Sequence, residues 1–330
     1  MESEIVEHIE LFKEKVDNKT LELFEKNQQI ERQKDKLQQQ VKISNDKNKD
    51  LLDGMRYAWR IQQALIPDSK KVKKHVQKGF VFFQPRDIVS GDIYWTYKQK
   101  NIKEDESIFS VIDCTGHGVP GAFMSILAVN AINYAVLNKR INKPNTILQV
   151  TNNYVFRTLE YYASGTESSN VKDGMDMLLC KLNRQKKTIE YSGANRPLFI
   201  VRKKQSEESY DVGLKEKEYK IEEIQGALLF EVKPTKRTVG TQTKQDSKMF
   251  ENKQIRVEEG DMIYLTTDGY ADQFGGPKGK KFMQKRLKNL LALMYELDEE
   301  EQKSILQETL LDWKRNEEQV DDISIMGIRV

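Results

Sequence analysis

Four aspartates stand where an apolar run breaks into a turn: Asp92 in SGDIYW, Asp113 in SIFSVIDCTGHGVPGAF, Asp268 in YLTTDGYAD and Asp322 in QVDDISIM. Singly, each suits a turn or helix cap, where a short carboxylate takes up backbone amides. As a set they imply more. Ends of adjacent strands lie close together, so four such carboxylates can meet in one cavity, where they repel one another unless cations intervene. Mg2+ or Mn2+ is the natural counter-charge, since hard ions take oxygen ligands. Gly91, Gly116, Gly118 and Gly269 stand beside these acids and let main-chain oxygens approach. The helical pattern after GHG, around Val119–Leu137, would turn its N-terminal amides towards the same cavity, an end that favours phosphate. Two ions and an anion-binding helix end describe phosphoester hydrolysis by activated water.

Other chemistries fit less well. A phosphatase thiol needs Cys-(x)5-Arg, but the count from Cys114 reaches Pro120 and that from Cys180 reaches Lys186. Three histidines and two cysteines, widely scattered, do not make a zinc set. No Gly-x-Ser-x-Gly elbow and no phosphate-binding P-loop is present. Cys114 is then a small buried residue whose backbone carbonyl matters more than its sulfur. His117 is open to three readings: an outer partner of the site, an acid, or an imidazole that structures the loop.

The elements that must position these residues are legible as patterns. The first 65 or so residues lack proline and have Gly54 as their one glycine. Every seventh residue from Ile9 runs Ile9, Val16, Leu23, Ile30, Leu37, Ser44, Leu51, Ala58 and Leu65, a coiled-coil seam. The companion positions, such as Lys19, Lys26, Gln33 and Gln40, are polar, so weak, adjustable dimerisation is expected, the alternative being one amphipathic helix lying on the following domain or on a neighbour. MRYAWRIQQALIPD (55–68) ends that helix at Pro67. Strands are expected at 79–85, 92–98, 107–113, 174–183, 188–194, 197–203, 261–268 and 322–330, and helices at 119–137, 143–162, 280–297 and 299–315. The polar stretch from about 203 to 250 reads as an elaborated hairpin or flap. Blocks of strands with paired helices predict a layered α+β domain.

Composition sets outer limits. The chain has 330 residues, 38% of them hydrophobic and 32% charged, enough for one large domain and an appendage. A net charge of +3, from 54 basic against 51 acidic residues, gives no case for nucleic-acid binding. Two cysteines and the acidic start MESEIVEHIE point to a cytoplasmic protein with no membrane insertion.

The ordered string GDIYW, IDCTGHGVPGAFMS, GMDMLLCKLN, YSGANRPLFI, GDMIYLTTDGYADQFGG and WKRNEEQVDDISIMGIRV resembles the SpoIIE-type branch of the PPM, or protein phosphatase 2C-like, metal-dependent serine/threonine phosphatases. The likeness runs from about residue 67 to the C-terminus. It implies a four-layer αββα sandwich at 67–330, behind a long N-terminal coiled-coil helix at 1–66 that dimerises and regulates. It implies two Mn2+ or Mg2+ ions that activate water for hydrolysis of phosphoserine or phosphothreonine.

By that resemblance Asp113 bridges both ions, with the Cys114 carbonyl as a further ligand. Asp268 and Asp322 hold the more buried ion, and Asp92 acts near it. The helix 55–68, with Tyr57, Ile61 and Leu65, is the switch. The implied partner is a phosphorylated regulatory protein such as an anti-sigma-factor antagonist. The phosphate-gripping arginine of eukaryotic relatives has only Arg86 as a weak counterpart, and TVG (238–240) stands where the branch often has Pro-Ile-Gly. Two rivals are a catalytically idle scaffold of the same fold and a small-molecule phosphohydrolase.

Overall fold

The computed structural model describes residues 2–98, 105–163, 173–205, 211–241 and 249–330. Two compact units are present, Met1–Met55 and Arg56–Val330. From Glu2 onward the first is helix, the start of α1 (Glu2–Leu65). Absence of proline permits it, and Glu22 reaches Lys19 (2.9 Å) and Lys26 (2.6 Å) along its solvent-exposed surface at helical i,i+3 and i,i+4 spacing. The seam residues Ile9, Val16, Leu23, Ile30 and Leu37 are all exposed.

In the second unit, the end of α1 leads into α2 (Ser69–Val76), which is N-capped by Asp68, whose carboxylate accepts from the Lys71 amide at 2.7 Å. The remaining elements are β1 (Gly79–Gln84), β2 (Ile93–Lys98), β3 (Glu106–Cys114), α3 (Gly118–Asn133), α4 (Pro144–Ala163), β4 (Met175–Asn183), β5 (Thr188–Ala194) and β6 (Leu198–Lys203). After these come β7 (Tyr219–Ile224), β8 (Ala227–Val232), β9 (Lys253–Arg256), β10 (Met262–Thr266), the single turn α5 (Gly269–Asp272), the short pair β11 (Phe274–Gly275) and β12 (Lys280–Lys281), α6 (Gln284–Met294), α7 (Glu299–Lys314) and β13 (Ile323–Arg329).

The strands form two antiparallel sheets, one in the order β1-β13-β10-β6-β8-β7 and one in the order β2-β3-β4-β5-β9. Alternation along each strand builds the layers. Phe109, Val111, Leu178 and Cys180 face Ile200, Phe230, Ile263 and Leu265 across the inter-sheet core. The opposite faces of the same strands, Ile108, Ile112, Met177 and Leu179, pack under Ala128, Ile132, Leu148 and Val155 of α3 and α4. On the other side, Phe80, Phe199, Tyr264 and Ile325 pack under Leu287, Leu291, Leu306 and Leu310 of α6 and α7. The result is the four-layer αββα sandwich.

Some boundaries move. The helix expected over 280–297 starts at Gln284, because Lys280–Lys281 pair with β11 and Met283 takes φ 76, which no helix accommodates. The helix expected over 119–137 is α3 continued by a π-helical turn, Tyr134–Asn138. Gly118–Asn138 is, among the described residues, the one helix long and apolar enough to cross a membrane, and here Ala128, Ala131 and Ile132 bury it in the core. The 203–250 stretch contains a true hairpin, β7–β8, turned by Gln225 (φ 49) and Gly226 (φ 85). Residues 206–210 and 242–248 of that stretch lie outside the described residues.

Candidate active site

Asp113 is the last residue but one of β3, and its register partner on β4 is Asp176. Like charges directly opposed on neighbouring strands are unfavourable unless a cation compensates. That cation is Arg196, in the β5–β6 connection. Its Nη2 donates to Asp113 Oδ2 at 2.5 Å and to Asp268 Oδ2 at 2.7 Å, and lies 3.9 Å from Asp176 Oδ2. Asp268 follows β10 and precedes α5, yet its side chain makes no capping hydrogen bond. It turns instead to the same nitrogen as Asp113, which comes from the other sheet.

A second group lies beneath. Asp92 precedes β2, is buried, and accepts from Thr267 Oγ1 at 2.7 Å. Asp322, also buried, accepts the amides of Arg86 (2.7 Å) and Gly91 (2.7 Å), one on each oxygen. It thereby ties β13 to the loop that delivers Asp92. That loop is tight: a Cβ on Gly91 would fall 2.4 Å from the Gly116 carbonyl oxygen, so only glycine lets the two turns meet. Asp321 takes the other direction; its Oδ1 accepts the Asp322 amide at 2.8 Å.

Electrostatics join the two groups. Burial pushes Asp92 well above the usual carboxylate range, and the neighbouring Asp113 and Asp322 add to the rise against the Thr267 hydrogen bond. Burial likewise pushes Asp113 up. Arg196 opposes this, and Asp268, Asp321 and Asp176 reinforce it. Asp321 is raised by burial, opposed by the Asp322 amide, and raised further by Asp268 and Asp322. A single guanidinium therefore under-compensates the acids gathered here.

The donor set suits a hard divalent ion: oxygens alone, two of them already gathered on one cationic atom. Asp113 and Asp268 could hold such an ion, with Asp321 and Asp176 within electrostatic range. As placed around Arg196, no three acidic, histidine or cysteine side chains among the described residues close on one point as a finished cage.

The other expected positions divide. Burial, with Asp113, Asp92 and Asp322 nearby, raises the Cys114 thiol well above its ordinary value and keeps it protonated, which removes it as a nucleophile. His117 Nδ1 sits 3.0 Å from Asp87 Oδ2 in an exposed turn. Arg86 is exposed and donates to the Val320 carbonyl at 3.0 Å. Tyr57 and Ile61 are exposed on α1, and Leu65 packs against the α3–α4 core.

Four residues of consequence escaped the sequence reading: Arg196, Asp176, Asp321 and Gln62. Gln62 is a buried amide on an otherwise exposed helical stretch, bonded to Ser90 and Ser125. An arginine set in the turn SGANRPLF, and an aspartate inside the apolar run GMDMLLC, were the available signals.

Comparison with known proteins agrees with this fold. The PP2C domain of Pseudomonas aeruginosa SiaA is 27% identical, over 86% of this chain and 98% of that one, with a TM-score of 0.68. The PP2C phosphatase domain, with a regulatory fragment, of Bacillus subtilis SpoIIE shares the fold at 15% identity, covering 76% of this chain and 61% of that one, with a TM-score of 0.53. The RsbU and RsbW domains of a Mycobacterium tuberculosis protein do so at 17% identity, covering 76% and 59%, with a TM-score of 0.51. No curated protein matches the chain. The family model for Stage II sporulation protein E (SpoIIE) matches residues 103–330, more than two thirds of the chain. With that match laid on a four-layer sandwich whose strand ends gather carboxylates, the chain belongs to the SpoIIE family, within the SpoIIE-type branch of the PPM phosphatases.

Proposed function

We propose that the chain is a metal-dependent protein serine/threonine phosphatase that uses two Mn2+ or Mg2+ ions to remove phosphate from a regulatory protein in the cytoplasm. The observation that carries this reading is the meeting of Asp113 and Asp268, from different sheets, on one cationic nitrogen at 2.5 and 2.7 Å. When bound, the ions supply charge neutralisation at the phosphoryl oxygens and a lowered pKa for water. Asp113, Asp268, the Cys114 carbonyl and Asp92 would hold the ions. Of the adjacent pair, Asp321 is preferred to Asp322 as a ligand, because both Asp322 oxygens already serve backbone amides. Asp322 positions the loop before Asp92, Thr267 orients the Asp92 carboxylate, and the first amides of α3 offer an end suited to phosphate.

Regulation enters through α1. The exposed seam of Ile9, Val16, Leu23, Ile30 and Leu37 supports a homodimer through this helix. Gln62 supports a route from helix to site, since it grips Ser90, two residues before Asp92. The substrate is taken to be a phosphorylated regulator, of the anti-sigma-factor-antagonist kind, as the resemblance to SpoIIE-type phosphatases implies. Mn2+-dependent hydrolysis of a phosphoserine peptide tests the reading. Wild type is expected to turn over, and Asp113→Asn to lose about 10²-fold or more. A wild-type chain inert toward the peptide with every divalent ion would leave the two alternatives, a catalytically idle scaffold and a small-molecule phosphohydrolase.

A further inference from the structure

Arg196 is aimed with care. Asn195, just before it, takes φ 59, a left-handed conformation uncommon for a residue with a Cβ. The Asn195 side-chain amide donates to Asp176 Oδ1 and to Thr238 Oγ1, both at 2.9 Å. The Arg196 amide donates to the Ala194 carbonyl at 2.8 Å, and its own carbonyl accepts the hydroxyl of Tyr191 at 2.6 Å. Tyr191 is buried in the inter-sheet core. Gly193 leaves that hydroxyl room, because a Cβ there would fall 2.1 Å from it. The guanidinium thus projects from a rigid turn. Its Nε is buried without a hydrogen-bond partner, a cost that the carboxylate bonds at Nη2 must offset.

We infer that Arg196 is a built-in counter-cation, which holds Asp113 and Asp268 together in the metal-free protein and must give way before a divalent ion binds between them. The inference rests on the metal reading of the site. Nη2 already has both carboxylate oxygens at bonding distance, and an ion that needs contacts of about 2.0–2.6 Å to those oxygens cannot share the space. Without any cation there, Asp113 would face Asp176 across the strand pair, with Asp268 beside them. The guanidinium therefore offsets the repulsion among these carboxylates, and the same bonds oppose loading. A ligand that must displace an internal partner binds with its intrinsic affinity multiplied by the fraction of chains in which that partner is released. Asp176, whose Oδ1 is fixed by Asn195 and Thr238, holds its Oδ2 3.9 Å from Nη2 as the nearest further acceptor for the displaced group. Arg196 thereby sets the ion concentration at which the site fills.

The test uses the full chain, with calorimetric titration by MnCl2 and thermal melts in EDTA. Arg196→Gln is expected to melt at a lower temperature in EDTA and to bind Mn2+ at least tenfold more tightly than wild type. Tyr191→Phe, which keeps the guanidinium but frees its turn, is expected to move both readouts the same way by less. A folded Arg196→Gln chain with unchanged or weaker Mn2+ affinity, or an unchanged melt in EDTA, overturns the inference while leaving the metal reading standing. Absence of Mn2+ uptake by both wild type and Arg196→Gln overturns the metal reading and the inference together. If Arg196→Gln does not fold, Tyr191→Phe decides by the same two readouts.

Discussion

The side chain of Gln62 takes both backbone groups of Ser90: its Nε2 donates to the Ser90 carbonyl at 2.6 Å, and its Oε1 accepts the Ser90 amide at 3.1 Å. A third bond runs from Nε2 to Ser125 Oγ on α3, at 2.8 Å. One residue of the helix thus clasps the loop before Asp92 and the helix that begins at the site. Replacing Gln62 with leucine leaves two buried backbone groups unpaired, at about 1–3 kcal/mol each. Phosphatase turnover is expected to fall by about 10–100-fold, the range for a lost supporting contact. Tyr57→Ala, on the exposed face, should change stability by less than about 0.5 kcal/mol. Peptide hydrolysis and chemical denaturation of the two variants check both statements.

The neighbouring aspartates divide ligand from anchor. Asp322→Asn weakens the hold on the Arg86 and Gly91 amides, so it is expected to destabilise the metal-free protein by about 1–3 kcal/mol. Asp321→Asn should leave the metal-free melt nearly unchanged or raise it, and weaken Mn2+ binding. Melts in EDTA and calorimetry, run on both variants, separate the roles.

Dimerisation is predicted to reside in the first unit. A chain beginning at Arg56 keeps the whole second unit and loses the exposed seam. Sedimentation should give a dimer for the full chain and a monomer for the shortened one. A dimer from the shortened chain would place the interface elsewhere.

His75 supplies a pH signature away from the site. Its Nδ1 lies 2.9 Å from Thr96 Oγ1. Burial lowers its pKa below 6.5, only partly opposed by Thr96, and Lys71, Lys74 and Lys98 lower it further. The unfolded chain then binds the proton more readily. The stability at stake is fully present above about pH 6.5 and is lost as pH falls through the lower folded value. His75→Gln should flatten the fall in melting temperature between about pH 7 and pH 5.

The layers were legible because buried strands announce themselves. IFSVI and MLLCKL alternate between an inter-sheet face and a helix-covered face, and the structure uses both alternations. The strand-end aspartates were legible for the same reason. Direction was not. In QVDDIS the two adjacent carboxylates look alike, and only the fold shows that Asp322 accepts the amides of Arg86 and Gly91 while Asp321 accepts the Asp322 amide. Arg196 was hidden because its position depends on the left-handed Asn195 and on a tyrosine five residues earlier. Gln62 was hidden because a heptad reading treats a glutamine off the seam as solvated. The α2 helix passed unremarked, since SKKVKKHV buries only Val72 and Val76.

Carboxylates from both sheets are expected to hold two divalent ions at the end of β3. Anomalous diffraction from crystals grown in MnCl2 tests this most directly. Two manganese peaks about 3.5–4 Å apart are expected, both beside Asp113, with Asp268 and Asp321 in contact and Arg196 moved aside. Saturating Mn2+ with no peak between Asp113 and Asp268, and Arg196 still bonded to both, would contradict it.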